Sequence, residues 1–288
     1  MQNSNLMENI SKSLVIELLF EKEPKKITAN SVFREAKNMW GNIEIINRDM
    51  GHLQFSTEKY VSYNQDNTTT AVELAMGNVE LFDNKKSVDE FSRTQIWNIE
   101  QSDELLDSCK YAIKIWDCNA QRQIPKERAI MMVEWLDIVL KLYPECKAIW
   151  VPSAGKLQLA EAIRRFKENG IVKYLFGLTN IRFFNIPNTN EFIVDTVGLA
   201  GIGLSDVQFH FKGMNPNKVA NLAYSLARYI LNNDDTLIKD GDTIDGMNDQ
   251  GQMTPDVQWI CRYEDSIVEP LRPVLDINTG KYAAGDRS

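Results

Sequence analysis

The segment between Pro125 and Pro144 constrains the fold more than any other part of the sequence. Proline suits the first turn of a helix but cannot continue one, so these two residues bracket a helix from Pro125 to about Tyr143. A helix with so much apolar circumference has to be covered on several sides, and we expect it to be the most buried helix of a protein with a large core. Its polar residues are mainly Glu127, Glu134, Asp137 and Lys141.

The residues before this segment predict an α+β fold. Ser13 to Phe20 is typical of a buried strand, and Thr28 to Trp40 has the apolar spacing of a helix, with Thr28 or Asn30 as its N-cap and Gly41 just after its end. A helix followed by several strands favours a helix packed on a largely antiparallel sheet. Three such strands are predicted at Leu53–Thr57, Tyr60–Asn64 and Ala71–Met76.

A second helix-on-sheet unit is predicted after residue 108. Tyr111 to Trp116 is typical of a strand that opens this unit, so we expect an N-terminal α+β unit at residues 1–108 and a C-terminal one at 109–288. Tyr174–Ile186 and Glu191–Val197 are predicted to pair as a hairpin. Because strands alternate with single helices in both units, one continuous sheet is an alternative.

The pattern is clearest in the last third of the chain. Val207, Phe209 and Phe211 alternate with polar residues, which predicts a strand with one buried face. Asn215-Pro216 combines an N-cap side chain with proline at the first helical position, so a helix is expected from there to Asn232-Asn233. The remaining predictions are a hairpin turning at Asp240-Gly241 between Leu237–Lys239 and Asp242–Ile244, and strands at Val257–Tyr263 and Val274–Ile277.

Charge and cysteine usage narrow the expected partners and compartment. The 288 residues carry 32 Lys and Arg against 40 Asp and Glu, a net charge of −8. Phosphate binding needs a concentrated positive surface and no basic run exceeds two residues, so a nucleic acid is not expected. No export signal and no apolar run long enough for a membrane span is found. The four cysteines form no C-x-x-C pair, which favours reduced thiols in a cytoplasmic protein.

The catalytic and cofactor motifs of the sequence are incomplete. Ser153 and Lys156 match S-x-x-K, but the partner motifs of that enzyme class are missing. Gly198, Gly201 and Gly203 lack the dinucleotide-binding order and precede a strand, so they are expected to supply positive φ or a close backbone crossing. Two histidines are too few for a multi-histidine metal centre. Neither a metal nor another cofactor is expected.

Asp206, Gln208 and His210 are the side chains we would test first. Their spacing of two places all three on one strand face. A polar strand face is usually only solvated, and a face that binds a ligand or partner is the alternative that we would test. At about 3.3 Å per residue, Asp206 and His210 lie about 13 Å apart, so a catalytic dyad would need a carboxylate from a neighbouring strand. Asp195 or Asp242 is the expected source.

Trp259 and Arg262, followed by Tyr263, form an aromatic and cationic group of the kind enriched at interface hot spots. Trp259 and Tyr263 also share a strand face with Val257 and Cys261, so packing in the core is the favoured interpretation for the two aromatic rings.

Four motifs follow one another in the C-terminal region. They are Asp195 to Ala200 with Ser205 to Gln208, then Asp240 to Ile244 with Gly246, then Trp259 to Ser266, and finally Arg272 to Asp276. In this order they resemble a bacterial family known as domain of unknown function 4261, over about Asp195 to Asp276. Ser205 stands where a proline is expected. The resemblance implies an intracellular bacterial protein and brings no assigned activity, cofactor or catalytic residue.

The sequence therefore favours a non-enzymatic cytoplasmic module that binds another protein. The reasons are the incomplete catalytic motifs, the acidic charge and the few histidines. An immunity-like protein that neutralises a basic nuclease toxin is one version of this expectation. The alternative is a small hydrolase or transferase that uses Asp206 and His210 with a cross-strand aspartate.

Overall fold

The computed structural model describes residues 13–47, 51–66, 68–233 and 237–285. These residues divide into two compact units, residues 13–178 and the residues from 179 onward. Each unit contains one mostly antiparallel sheet with helices packed on it, so the predicted α+β class is confirmed. The two sheets are separate, which rules out the alternative of one continuous sheet.

Seven strands form the sheet of the first unit: β1 (Val15–Phe20), β2 (Ile43–Asn47), β3 (His52–Tyr63), β4 (Thr69–Leu81), β5 (Tyr111–Cys118), β6 (Ala148–Val151) and β7 (Lys156–Leu159). Their order is β2-β3-β4-β5-β1-β6-β7, and all neighbours are antiparallel. The predicted boundary near residue 108 differs from the observed division after Leu178. The reason is that β5 pairs with both β1 and β4, which joins the predicted second unit to the first.

Within the described residues, seven helices accompany this sheet: α1 (Ala29–Trp40), α2 (Asn84–Ser87), α3 (Glu90–Thr94), α4 (Ser102–Ser108), α5 (Pro125–Leu142), α6 (Ala160–Arg165) and α7 (Ile171–Leu178). Helix α1 has the predicted ends. The Thr28 hydroxyl accepts the Ser31 N–H at 3.2 Å, and Gly41 follows the helix with a positive φ of 78°.

Helix α5 buries more residues than any other helix that the structure describes. It packs against α1 and β3. Trp135 makes a tilted contact with Trp40 of α1, at 6.1 Å between ring centroids, and an edge contact with Phe55 of β3, at 5.1 Å. A second apolar cluster joins the segment of α2 to α4 to the sheet through Leu19, Trp150 and Leu157. The core of this unit is therefore built on the long apolar helix.

The predicted strand Tyr174–Ile186 is wrong in its first half. Tyr174 to Leu178 belongs to α7, and the strand begins only at Asn180. A short apolar run does not distinguish a buried strand from a buried helix, and α7 buries six of its eight residues.

Six strands form the sheet of the second unit: β8 (Asn180–Asn185), β9 (Glu191–Val197), β10 (Asp206–Lys212), β11 (Thr243–Met247), β12 (Met253–Asp265) and β13 (Pro273–Asn278). Their order is β11-β12-β13-β10-β9-β8, and only the β10–β13 pair is parallel. The predicted hairpin of β8 with β9 is present.

Helix α8 (Pro216–Asn233) covers β8, β9 and β10. It begins and ends where the sequence predicts, and the Asn215 side chain accepts the Asn217 N–H at 2.9 Å. The predicted hairpin at Asp240-Gly241 is wrong, because Leu237–Lys239, directly before this turn, form no strand. The hairpin is instead made by β11 and β12.

Gly246 of β11 faces the buried indole of Trp259. A Cβ atom at this position would lie 2.6 Å from Trp259 Nε1. We expect Gly246→Ala to lower the free energy of unfolding of the second unit by about 1–3 kcal/mol, because the indole has no room to give way. Gly77→Ala is the control, since its Cβ would lie an ordinary 3.5 Å from the Trp116 ring. Hydrogen exchange of β11 and β12 measures the effect, and equal exchange in wild type and Gly246→Ala would contradict it.

Candidate functional site

Strand β10 is buried on both faces, which corrects the prediction of one buried face. Asp206 and Gln208, on the face predicted to be polar, have 0% exposure. Buried carboxylates and amides need internal partners because water cannot reach them. The partners come from β9 and the residues after it, from β13, and from the segment between β12 and β13.

The Asp206 carboxylate is surrounded by donors from the protein itself. It accepts the Thr196 hydroxyl at 2.8 Å and the backbone N–H groups of residues 198–200 at 3.1–3.3 Å. Arg272 Nε lies 3.3 Å from Oδ2. Burial raises the pKa of the Asp206 carboxyl, while the guanidinium and the hydrogen bonds act in the opposite direction.

The glycine segment after β9 shapes this carboxylate site. Gly198 has a φ of 143° and Gly203 a φ of 95°, so the expectation of positive φ is confirmed for both. Successive backbone N–H groups form an anion-binding concavity, and here the anion is the Asp206 side chain. No external phosphate or nucleotide is required to satisfy these donors.

Asp195 is the second fully buried carboxylate of this network. Arg182 donates to both of its oxygens, at 2.9 and 2.5 Å, and Arg272 Nη2 donates to Oδ2 at 2.7 Å. Arg272 therefore bridges Asp195 and Asp206. Because the charges alternate in sign, each is compensated within the protein.

The 266–272 loop, which joins β12 to β13, lies over these buried groups. Arg272 Nη1 donates to the carbonyls of Val268 and Pro270, at 3.1 and 2.9 Å, and Arg182 Nη1 donates to the Glu269 carbonyl at 2.7 Å. Gln208 accepts the Ile267 N–H at 2.8 Å and donates to Asp276 at 3.0 Å. Charged and amide side chains beneath the loop thus fix its backbone.

Two large aliphatic side chains of the 266–272 loop are exposed. Ile267 is 51% exposed and Leu271 is 63% exposed, whereas Ser266 and Arg272 are buried. Large aliphatic side chains on an anchored loop are a candidate contact surface.

His210 contacts a carboxylate other than the two that were predicted. Its Nε2 lies 2.9 Å from Glu191 Oε2, whereas Asp195 is held by the two arginines. Glu191 stands opposite Lys212 in the β9–β10 register, on the same sheet face as His210. The His210 side chain is 12% exposed, and a Cβ atom on Gly285 would lie 2.9 Å from the ring, so the C-terminal segment packs against it.

Asp242 lies far along the sheet from His210 and contributes to a different feature. Its carboxylate accepts the Lys239 N–H at 2.8 Å in the turn before β11. It also lines the α8–β11 groove, a depression of about 430 Å³. The other residues lining this groove are Leu226, Tyr229, Leu237, Ile238, Thr243 and Ile244.

The structure separates Trp259 from Arg262. Trp259 is 1% exposed and meets the Phe209 ring edge-on at 6.4 Å, so the favoured interpretation of core packing describes its indole. Arg262 is exposed and stands opposite Asp276 in the β12–β13 register, on the other face of the sheet. The two side chains do not form one surface group.

Sequence reasoning missed Arg182, Glu191 and the anchoring role of Arg272. An arginine inside an otherwise apolar strand is the signal that could have identified Arg182, because a buried guanidinium requires a carboxylate. The described ranges contain no group of three or more His, Cys, Asp or Glu placed to hold a metal ion. They also contain no helix long and apolar enough to cross a membrane.

Comparison with known proteins identifies the C-terminal region alone. The family model described as domain of unknown function (DUF4261) matches residues 195–278, which confirms the resemblance inferred from the motifs. The match runs from Asp195 to the end of β13 and contains Asp206, Gln208 and Arg272. No curated protein and no solved structure matches the chain.

Proposed function

We propose that this protein is a non-enzymatic module that binds another protein through the outer side of the 266–272 loop. The observation that carries the proposal is the exposure of Ile267 and Leu271 on a loop whose backbone is held by buried Arg272, Arg182 and Gln208. Covering exposed aliphatic side chains with a partner removes apolar surface from water, which favours binding.

The anchoring network supports binding because it lowers the entropic cost of association. A flexible loop has to be ordered when it binds, and an already ordered loop avoids this loss. Buried ion pairs contribute little net stability compared with apolar packing, so their presence here is better explained by a need for one defined loop conformation.

The charges around the loop indicate the chemistry of the partner. Glu264 and Asp265 are exposed beside the loop, Glu269 is exposed within it, and the chain as a whole carries a net charge of −8. We therefore propose a partner with an apolar patch and a basic rim, since opposite charges favour association. An immunity-like role against a basic toxin is one case of this proposal.

The hydrolase or transferase alternative has less support. Asp206 has no exposed surface, and both of its oxygens already accept hydrogen bonds. A catalytic acid or base has to reach the proton that it transfers. His210 has a carboxylate neighbour in Glu191, but the C-terminal segment packs against its ring.

A bacterial cytoplasmic location is part of the same proposal. All four cysteines are free, and three of them are buried. Unpaired thiols are typical of proteins in a reducing compartment. The resemblance to a bacterial family supports the source.

The proposal is tested by capturing partners from a lysate of the source organism with tagged wild type and with Ile267→Asp/Leu271→Asp. We expect a stoichiometric protein partner with wild type, and at least about tenfold weaker binding of the purified partner to the variant, because two aspartates oppose apolar burial. Met253→Asp, at a residue that is 48% exposed in the same unit, is the control for an added surface charge.

Two results would contradict this proposal. One is a purified partner that binds wild type and Ile267→Asp/Leu271→Asp with equal affinity. The other is the absence of any stoichiometric partner under several growth conditions. Circular dichroism of each variant verifies that it is folded.

A further inference from the structure

Strand β11 ends the sheet of the second unit. Its one neighbour is β12, and the described ranges place no further strand along its other side. A strand at the end of a sheet presents backbone N–H and C=O groups that an added strand can pair with.

The α8–β11 groove is lined in part by residues of this edge strand. Thr243 and Ile244 of β11 both line it. Leu226 and Tyr229 of α8 also line it, so the groove lies between a helix and an edge strand.

The groove has the chemistry of a site for apolar side chains. Tyr229 is 45% exposed and Leu237 is 55% exposed, and Ile238 and Ile244 complete its apolar lining. Its volume of about 430 Å³ is within the range of ligand sites. Among the described residues that line it, Asp242 is the one charged residue.

We propose that the α8–β11 groove binds an extended, basic peptide segment of a partner protein, which pairs with β11 as an additional strand. Apolar side chains of the peptide fill the groove, and a lysine or arginine of the peptide lies beside Asp242. This combination of backbone pairing at an edge with side-chain pockets is a known mode of peptide recognition. The proposal does not depend on the 266–272 loop.

Charge complementarity selects a basic peptide. Asp242 lines the groove, and Asp240 and Asp245, which are close to it in the sequence, are exposed, as is Lys239. An acidic peptide would meet like charges there, which disfavours its approach. An extended peptide is favoured over a helical one because the edge strand β11 lines the groove, and an edge strand has backbone groups available for pairing.

The probe is a phage-displayed library of random dodecapeptides, selected on the full-length protein and then synthesised for fluorescence anisotropy. We expect the selected peptides to alternate apolar residues with Lys or Arg. Tyr229→Asp/Leu237→Asp should weaken their binding at least about tenfold, since charge in the groove opposes apolar burial. Met253→Asp should bind as wild type does. Hydrogen exchange should show added protection of the β11 amides in the complex.

Asp242→Asn separates the charge from the fold of the turn. The amide oxygen of the introduced asparagine can still accept the Lys239 N–H, so the turn is retained while the charge is lost. Binding of the selected peptides should weaken, and its salt dependence should fall.

Several results would overturn the proposal. They are the recovery of no binding peptide, selection of acidic peptides, a helical conformation of the bound peptide by NMR, and unchanged affinity for both groove variants. Self-association of the protein that is lost in Leu237→Asp would assign the edge to a second copy of this chain instead.

Discussion

Replacing Arg272 by Met is expected to lower the free energy of unfolding of the second unit by about 3–5 kcal/mol. Arg272 contacts Asp195 at 2.7 Å and Asp206 at 3.3 Å, and both carboxylates are fully buried. Without the guanidinium they lose a shared positive charge at a place that water does not reach. The 266–272 loop also loses the two hydrogen bonds from Nη1 to its carbonyls and should exchange its amides much faster.

Two variants separate charge, geometry and surface effects in this experiment. Arg272→Lys keeps the charge but not the planar fork, so we expect most of the loss to persist. Arg262→Met removes an exposed arginine of the same sheet and should change the free energy of unfolding by less than about 1 kcal/mol. Denaturant unfolding gives the free energy of unfolding of each variant, and hydrogen exchange gives the exchange rate of the loop amides. A loss below about 1 kcal/mol for Arg272→Met would show that the bridge is not needed for the fold.

Local chemistry explains which parts of the fold the sequence could predict. Helix α8 was located because Asn215 and Pro216 act within one turn of the chain, and α1 because Thr28 and Gly41 do. The prediction of a hairpin at Asp240-Gly241 is wrong although the turn exists. A turn does not determine whether the residues before it pair with a neighbouring strand. That outcome depends on β12, which supplies the partner for β11 from further along the chain.

The candidate site shows the same limit. A spacing of two correctly placed Asp206 and Gln208 on one strand face, but their burial comes from a loop about 60 residues later in the sequence. Arg182 meets Asp195 across the β8–β9 pair, a contact set by strand register. Periodicity tells which side chains share a face and leaves open what covers that face.

Asp117→Asn should lower the free energy of unfolding of the first unit by about 3–5 kcal/mol. Arg128 of α5 donates to Asp117 of β5 from Nε at 2.7 Å and from Nη2 at 3.2 Å, and both residues have 0% exposure. The Asp117 carboxylate also accepts the Leu14 N–H at 2.6 Å, just before β1. The neutral amide would leave a buried guanidinium without its counter-charge between the long helix and the sheet.

A double-mutant cycle shows whether this cost comes from the unpaired charge. The double variant Asp117→Leu/Arg128→Met removes both charges. Its loss of unfolding free energy should be clearly smaller than the sum of the losses of the single variants Asp117→Leu and Arg128→Met. Lys141→Met is the matched surface control. Lys141 lies on the same helix as Arg128 and pairs with Glu35 of α1 at 2.6 Å, but its side chain is 69% exposed. Its replacement should lower the free energy of unfolding by less than about 1 kcal/mol. Strictly additive losses in the cycle would mean that the pair contributes no coupling. Sub-additive losses would identify Arg128 as a residue whose charge is tolerated inside the core only because Asp117 lies beside it.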